Sequence, residues 1–222
     1  MNFLNGKLAI SPLLARVVPF AVFIGLTVLQ EQLGETARYW IYLAKTLAGA
    51  WMIWLVRPFV AEMKWAMSWA AVAAGVAVFA LWVGLDPLYP HFGKSGPGWN
   101  PHSVFGVDST LAWFFIAIRL AGSAIVVPPL EEVFYRSCVY RYLAEKDFLS
   151  VPLNRFLPLP FVVTSVAFGF EHAQWLAGIL CGFIYQGLVC RTGRLGDAIL
   201  AHAITNFLLG LWVIWKGAWQ FW

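Results

Sequence analysis

The sequence predicts an all-α polytopic membrane protein with about seven transmembrane helices, seven or eight by span counting, in one domain covering residues 1–222. Three observations predict it. Of the 222 residues, 61% are hydrophobic and 12% charged, with a mean hydropathy of +0.72, whereas a soluble domain is roughly half apolar and a quarter charged. The apolar residues fall into segments of about 20, the length a helix needs to cross a bilayer, separated mostly by short polar loops. Thirteen tryptophans suit a protein with two lipid–water interfaces.

The first span covers residues 13–29, with Lys7 and Arg16 at its start. The residues after it hold no small-x-small cleavage site, so it reads as a retained span rather than a cleaved signal. Glu31, Glu35 and Arg38 make a polar loop. The second span, 39–56, carries Lys45 near enough to its start to snorkel to the interface. Arg57, Glu62 and Lys64 make the next loop. The third span, 65–85, is rich in Ala and Gly, including Ala71, Ala74 and Gly75, which let helices approach closely in lipid.

Residues 86–108 form the one long loop. Its prolines and glycines place it outside the hydrocarbon, where unpaired backbone is tolerated. Asp108 or Ser109 can cap the fourth span, 110–127. Arg119 lies near the middle of that span. Such an arginine marks a functional site or is held by carbonyls of a neighbouring helix.

Pro128 and Pro129 should break this helix, since proline lacks an N–H and disfavours helix in the residue before it. Leu130 then begins a fresh helix to about 143, with Glu131 and Glu132 in a first turn that the helix dipole favours. Glu132 and Arg136, four apart, can pair on one face. Glu131 points about 100° away from Glu132.

Residues 145–157 are a charged connector. The segment 158–172 is apolar and ends in Glu171-His172. The segment 175–190 carries Gly178 and Gly182 at the spacing of a packing face. A basic turn, 191–196, leads into the last span, 197–215, which contains His202 and Asn206. Trp212, Trp215, Trp219 and Trp222 fall at helical spacing and read as an interfacial belt. Cys138, Cys181 and Cys190 are odd in number and without patterned spacing, which argues against a disulfide framework or a zinc finger. Cys138 shares a face with Glu131 and reads as packing.

Basic residues set orientation. With seven crossings, Lys7, Arg16, Arg57, Lys64, Arg141, Lys146, Arg155, Arg191 and Arg194 fall on the N-terminal side. Arg38, Lys94 and Lys216 fall opposite. This predicts a cytoplasmic N-terminus and an external C-terminus. The net charge of +4 reads as topology and not as nucleic-acid affinity.

Three segments in the motif-bearing half, 127–207, carry isolated polar groups at matched spacing: Glu131-Glu132-x-x-x-Arg136, Phe168-x-x-x-His172 and His202-x-x-x-Asn206. A charged side chain mid-span costs about 2.5–3.5 kcal/mol on insertion scales, so such groups belong together. A lone membrane histidine is more often an interhelical hydrogen bonder than a catalyst. Together the groups supply a carboxylate base, imidazoles and an amide donor, which is what peptide hydrolysis needs.

These three motifs, in this order, resemble the signature of the CPBP family, the intramembrane endopeptidases related to the type II CAAX prenyl protease. The small size resembles bacterial members associated with exosortase systems. The resemblance implies a helical bundle in a bacterial cytoplasmic membrane, with a membrane-embedded cavity open towards the cytoplasm. It implies that Glu131 acts as general base on a water also oriented by His172, and that His202 and Asn206 stabilise the oxyanion. Arg136 would hold Glu132, and Phe168 would pack beneath the site. The implied substrate is a membrane-associated protein or peptide in the lipid bilayer. Bacteria generally lack prenylated CAAX proteins, so the family's name does not identify it.

No cofactor is firmly implied. Two glutamates and two histidines could hold zinc, although the His-Glu-x-x-His spacing of zincins is absent; the resemblance implies a glutamic-type or a metal-dependent protease, with the metal-independent form the expectation. Glu171, beside His172, could orient a histidine or sit at the interface. Two other readings compete with an enzyme: a non-catalytic scaffold or immunity-type protein that keeps the polar cluster for folding, and a transporter with a proton relay. Nothing in the residues sets an oligomeric state.

Overall fold

A computed structural model describes residues 11–92 and 98–222. Lys7 and Lys94 lie outside the described residues. The described chain is helical throughout its ordered elements. Helices α1 (Pro12–Gln32), α2 (Ala37–Val56), α3 (Trp69–Leu85), α4 (Thr110–Tyr142), α5 (Pro158–Phe170), α6 (Trp175–Thr192) and α7 (Leu195–Lys216) form the bundle. Among the described residues, all but α5 belong to segments long and apolar enough to cross a membrane. At 13 residues α5 spans about 20 Å, short of the ~30 Å hydrocarbon core. It pairs with α6 as a hairpin.

Local sequence explains most boundaries. Ser11 and Ser68 cap α1 and α3 by accepting the N–H groups of Leu14 and Ala71. Ser109 begins α4 without making a side-chain cap bond. Gly193 and Gly217 end α6 and α7 with positive φ, as left-handed caps require. Close packing follows the small residues. A Cβ on Gly75 would meet the Ala201 carbonyl at 2.6 Å, and one on Gly182 would meet the Ser165 carbonyl at 2.7 Å. The α3–α7 and α5–α6 contacts therefore depend on bare backbone at these points.

Pro128 and Pro129 do not break the helix. Residues Thr110–Tyr142 run as one element, widened into π turns at Gly122–Val126 and Val133–Val139. The Val127 N–H reaches back five residues to the Gly122 carbonyl. The wider turn relieves the clash a proline ring makes with the carbonyl four residues earlier. Glu131 and Glu132 consequently sit deep within a long helix, not in a first turn, and the dipole does not hold them.

Hydrogen bonds define two faces. On one, Trp99 N–H donates to the Trp222 carbonyl (3.3 Å), Phe92 N–H donates to the Ala173 carbonyl (2.9 Å), and Arg38 donates to the Gly98 carbonyl (3.3 Å). The α1–α2 turn, the long loop, the α5–α6 turn and the C-terminus share this face. On the other lie residues 57–68, 143–157 and 193–194. There Glu62 accepts from Arg16 (2.7 and 2.9 Å), from Arg141 (2.8 Å) and from the Ser137 hydroxyl. That cluster ties the first turn of α1 to the end of α4.

Tryptophans divide. Trp212 and Trp215 stand on α7 and pack edge to face, with Trp215 72% exposed, as belt residues do. Trp219 and Trp222 leave the helix and fold inward: Trp222 packs on Trp99, and Trp219 on His102. The chain turns at Gly217, so helical spacing no longer applies to these two.

Candidate active site

Helices α4, α5 and α7 bring the three motifs to one cavity of about 320 Å³. Glu131, Phe168, His172, His202 and Asn206 line it. Glu132 and Arg136 lie behind its wall, both fully buried.

The Glu132 carboxylate holds two partners. Its Oε1 lies 2.9 Å from His202 Nδ1, and its Oε2 lies 3.2 Å from Arg136 Nε. The second is a charge contact without hydrogen-bond alignment, since neither atom meets hydrogen-bond geometry. The Arg136 guanidinium stacks 4.1 Å from the centre of the Phe168 ring. Phe168 therefore supplies a π face to a buried cation, beyond the packing expected of it. The sequence pairs Glu132 with Arg136 and gives no sign of the contact to His202.

In both imidazoles Nδ1 carries a hydrogen. A carboxylate and a backbone carbonyl can only accept, so the ring nitrogens facing them carry hydrogen. His202 thus donates from Nδ1 to Glu132. His172 donates from Nδ1 to the Phe168 carbonyl at 2.9 Å. That carbonyl is one of the unpaired groups at the C-terminal end of α5, because the His172 N–H goes to Gly169 instead. The helix end thereby fixes the ring, leaving Nε2 of each histidine for the cavity.

Glu131 is 7% exposed, and its Oε2 has no hydrogen-bond partner. His202 Nε2 lies 3.9 Å from it. Asn206 donates to the Ser123 carbonyl at 2.9 Å. The double proline explains why that carbonyl is available: its π-helical partner would be residue 128, which has no N–H. One Asn206 N–H is so committed, and the amide has a second.

Three further residues shape the site. Lys45 does not snorkel. It is 4% exposed, donates to the Thr27 hydroxyl at 2.9 Å, and lies over the Phe23 and Tyr42 rings on the cavity wall. Arg119 is held by aromatic faces and not by carbonyls, with its guanidinium 4.6 Å from the Tyr42 ring and 5.2 Å from Trp99. Glu171 accepts from the Tyr135 hydroxyl at 2.8 Å at the cavity edge, not from a histidine. Tyr135 is absent from the sequence reading; only its position four residues after Glu131 hints at it. Cys138 is buried away from the cavity, as packing.

The donors suit zinc in kind: two Nε2 atoms with their Nδ1–H groups held, and a carboxylate. Among the described residues, however, no three such side chains gather at ligating geometry.

Comparison with known proteins points to a family. Residues 109–208 match a family model described as type II CAAX prenyl endopeptidase Rce1-like. All seven motif residues fall inside that stretch. The chain is 28% identical over 142 residues to YdiL of Bacillus subtilis (strain 168), named as a candidate membrane peptidase. The match covers 62% of this chain and 52% of YdiL, so the chain spans about half the length of that relative. No solved structure matches.

Proposed function

We propose that this chain, whose residues 109–208 match the type II CAAX prenyl endopeptidase Rce1-like family model, hydrolyses a peptide bond by activating water with Glu131. The water sits between the Glu131 carboxylate and Nε2 of His172. Glu131 takes its proton as the oxygen attacks the peptide carbonyl carbon. With Glu132 holding its Nδ1–H, His202 turns Nε2 towards the tetrahedral oxyanion and stabilises it when that nitrogen also carries hydrogen, and Asn206 offers its second amide hydrogen. Glu131 then returns the proton to the leaving nitrogen as the carbon–nitrogen bond breaks. Glu132 and Arg136 are positioning residues: they hold His202 and each other.

The observation that carries this reading is the Glu131 carboxylate, buried, with one oxygen unpartnered, in a cavity that two oriented imidazoles also face. A buried polar oxygen without a partner is costly, and a cluster kept only for folding would satisfy it. The proposed substrate is a membrane-associated protein or peptide. Incubating purified protein with solubilised membrane proteins and mapping new chain ends tests it. New termini should appear with the wild type and not with Glu131→Gln. If neither sample yields them, the scaffold reading stands instead.

A further inference from the structure

The cavity has a floor and a mouth. Glu131 and His202 mark the floor. From there the void passes Lys45 and Thr27 to Arg119 and Trp222. It adjoins a second void of about 380 Å³ that shares those last four residues and continues to Glu31, Glu35 and Arg38 at the α1–α2 turn. Glu31 and Glu35 are exposed. The mouth therefore lies on the face of the long loop and the C-terminus.

The opposite side is shut. The buried Glu132–Arg136 pair, the Phe20–Phe134 stack (4.2 Å) and the Arg16–Glu62–Arg141 cluster fill it in succession. No residue of 57–68, 143–157 or 193–194 lines either void. A third hollow, beside the 143–157 connector, shares no residue with them.

Charge tells the two faces apart. Among the described residues, Arg16, Arg57, Lys64, Arg141, Lys146, Arg155, Arg191 and Arg194 belong to the shut face. Arg38 and Lys216 belong to the mouth face. Basic residues in short loops stay on the cytoplasmic side. An external C-terminus and a cavity open to the cytoplasm are thus incompatible in this fold, because mouth and C-terminus share one face.

We propose that the cavity opens to the non-cytoplasmic side of the membrane. Resting on the protease reading above, this makes the substrate a peptide segment presented there: an exported peptide, or the external flank of a membrane-anchored protein. Its scissile bond reaches Glu131 by passing between Lys45 and the Trp222 ring.

Accessibility tests the orientation without requiring activity. Thr27→Cys (mouth), Glu35→Cys (mouth face) and Glu145→Cys (shut face) are each placed in a chain whose own three cysteines are changed to Ala. A membrane-impermeant maleimide is added to intact bacterial cells and to inverted membrane vesicles. The proposal expects residues 27 and 35 to label in cells, and residue 145 only in inverted vesicles. Labelling of residue 35 only in inverted vesicles, or failure of residue 27 to label from the side that labels residue 35, overturns it. Reporter fusions after Trp222 of the unaltered chain give a second reading that needs no cysteine removal. An external C-terminus supports the proposal, and a cytoplasmic one contradicts it. If orientation holds while no cleavage is detected, the protease reading fails and the orientation survives.

Discussion

Glu132 Oε1 and His202 Nδ1 meet at 2.9 Å across 70 residues of sequence, and this contact joins the first motif to the third. Glu132 also faces Arg136, so one carboxylate neutralises a guanidinium and orients an imidazole. Glu132→Ala should therefore lower activity and stability together. Breaking a buried charge pair by removing one partner costs about 3–5 kcal/mol. Thermal unfolding in detergent, run beside the cleavage assay, should show both losses. A variant of wild-type stability would mean that Arg136 needs no counter-charge.

Asn206→Ala should behave differently. Its amide spans the Ser123 carbonyl and the proposed oxyanion position. Losing one oxyanion donor typically costs ~10²–10³ in kcat, while KM should change little. A rise in KM with kcat intact would place Asn206 in substrate binding instead.

Glu62 predicts a pH dependence of stability. Burial raises its pKa, but the Ser137 hydroxyl and the Arg16 guanidinium outweigh burial and leave it below the usual carboxylate value. A depressed folded pKa means that the stabilisation is fully present above the unfolded value of about 4.3, and is lost as pH falls through the folded pKa. The melting-temperature gap between wild type and Glu62→Gln should be constant between about pH 5 and pH 7, and should shrink below about pH 4. A gap independent of acidification would contradict the assignment.

Metal dependence is testable on the same protein. If Glu131 activates water without a metal, as proposed, cleavage should persist after dialysis against a chelator. Loss of cleavage, restored by stoichiometric zinc, would recast Glu131, His172 and His202 as ligands.

Much of this was legible in the chain. Helix positions follow from apolar segments of bilayer length, and the motif spacings place Glu131, His172 and His202 on inward faces. Three features were not legible, each for a physical reason. Pro128 and Pro129 signal a break only if the turn before them is α-helical; a π turn absorbs them and frees the Ser123 carbonyl for Asn206. Lys45 has a stem long enough to snorkel, and the Thr27 hydroxyl and the Phe23 and Tyr42 rings turn it inward. Trp222 falls at helical spacing from Trp215, but the left-handed turn at Gly217 brings it back over the cavity.

The rate of peptide-bond cleavage by purified Glu131→Gln tests the central claim most directly. Glutamine preserves the shape of the side chain but cannot take the proton of water. General-base catalysis contributes ~10²–10⁴-fold, so the variant should remain folded, with a wild-type melting temperature, and lose at least that factor in kcat. Cleavage by Glu131→Gln at the wild-type rate would contradict the assignment of Glu131 as the base.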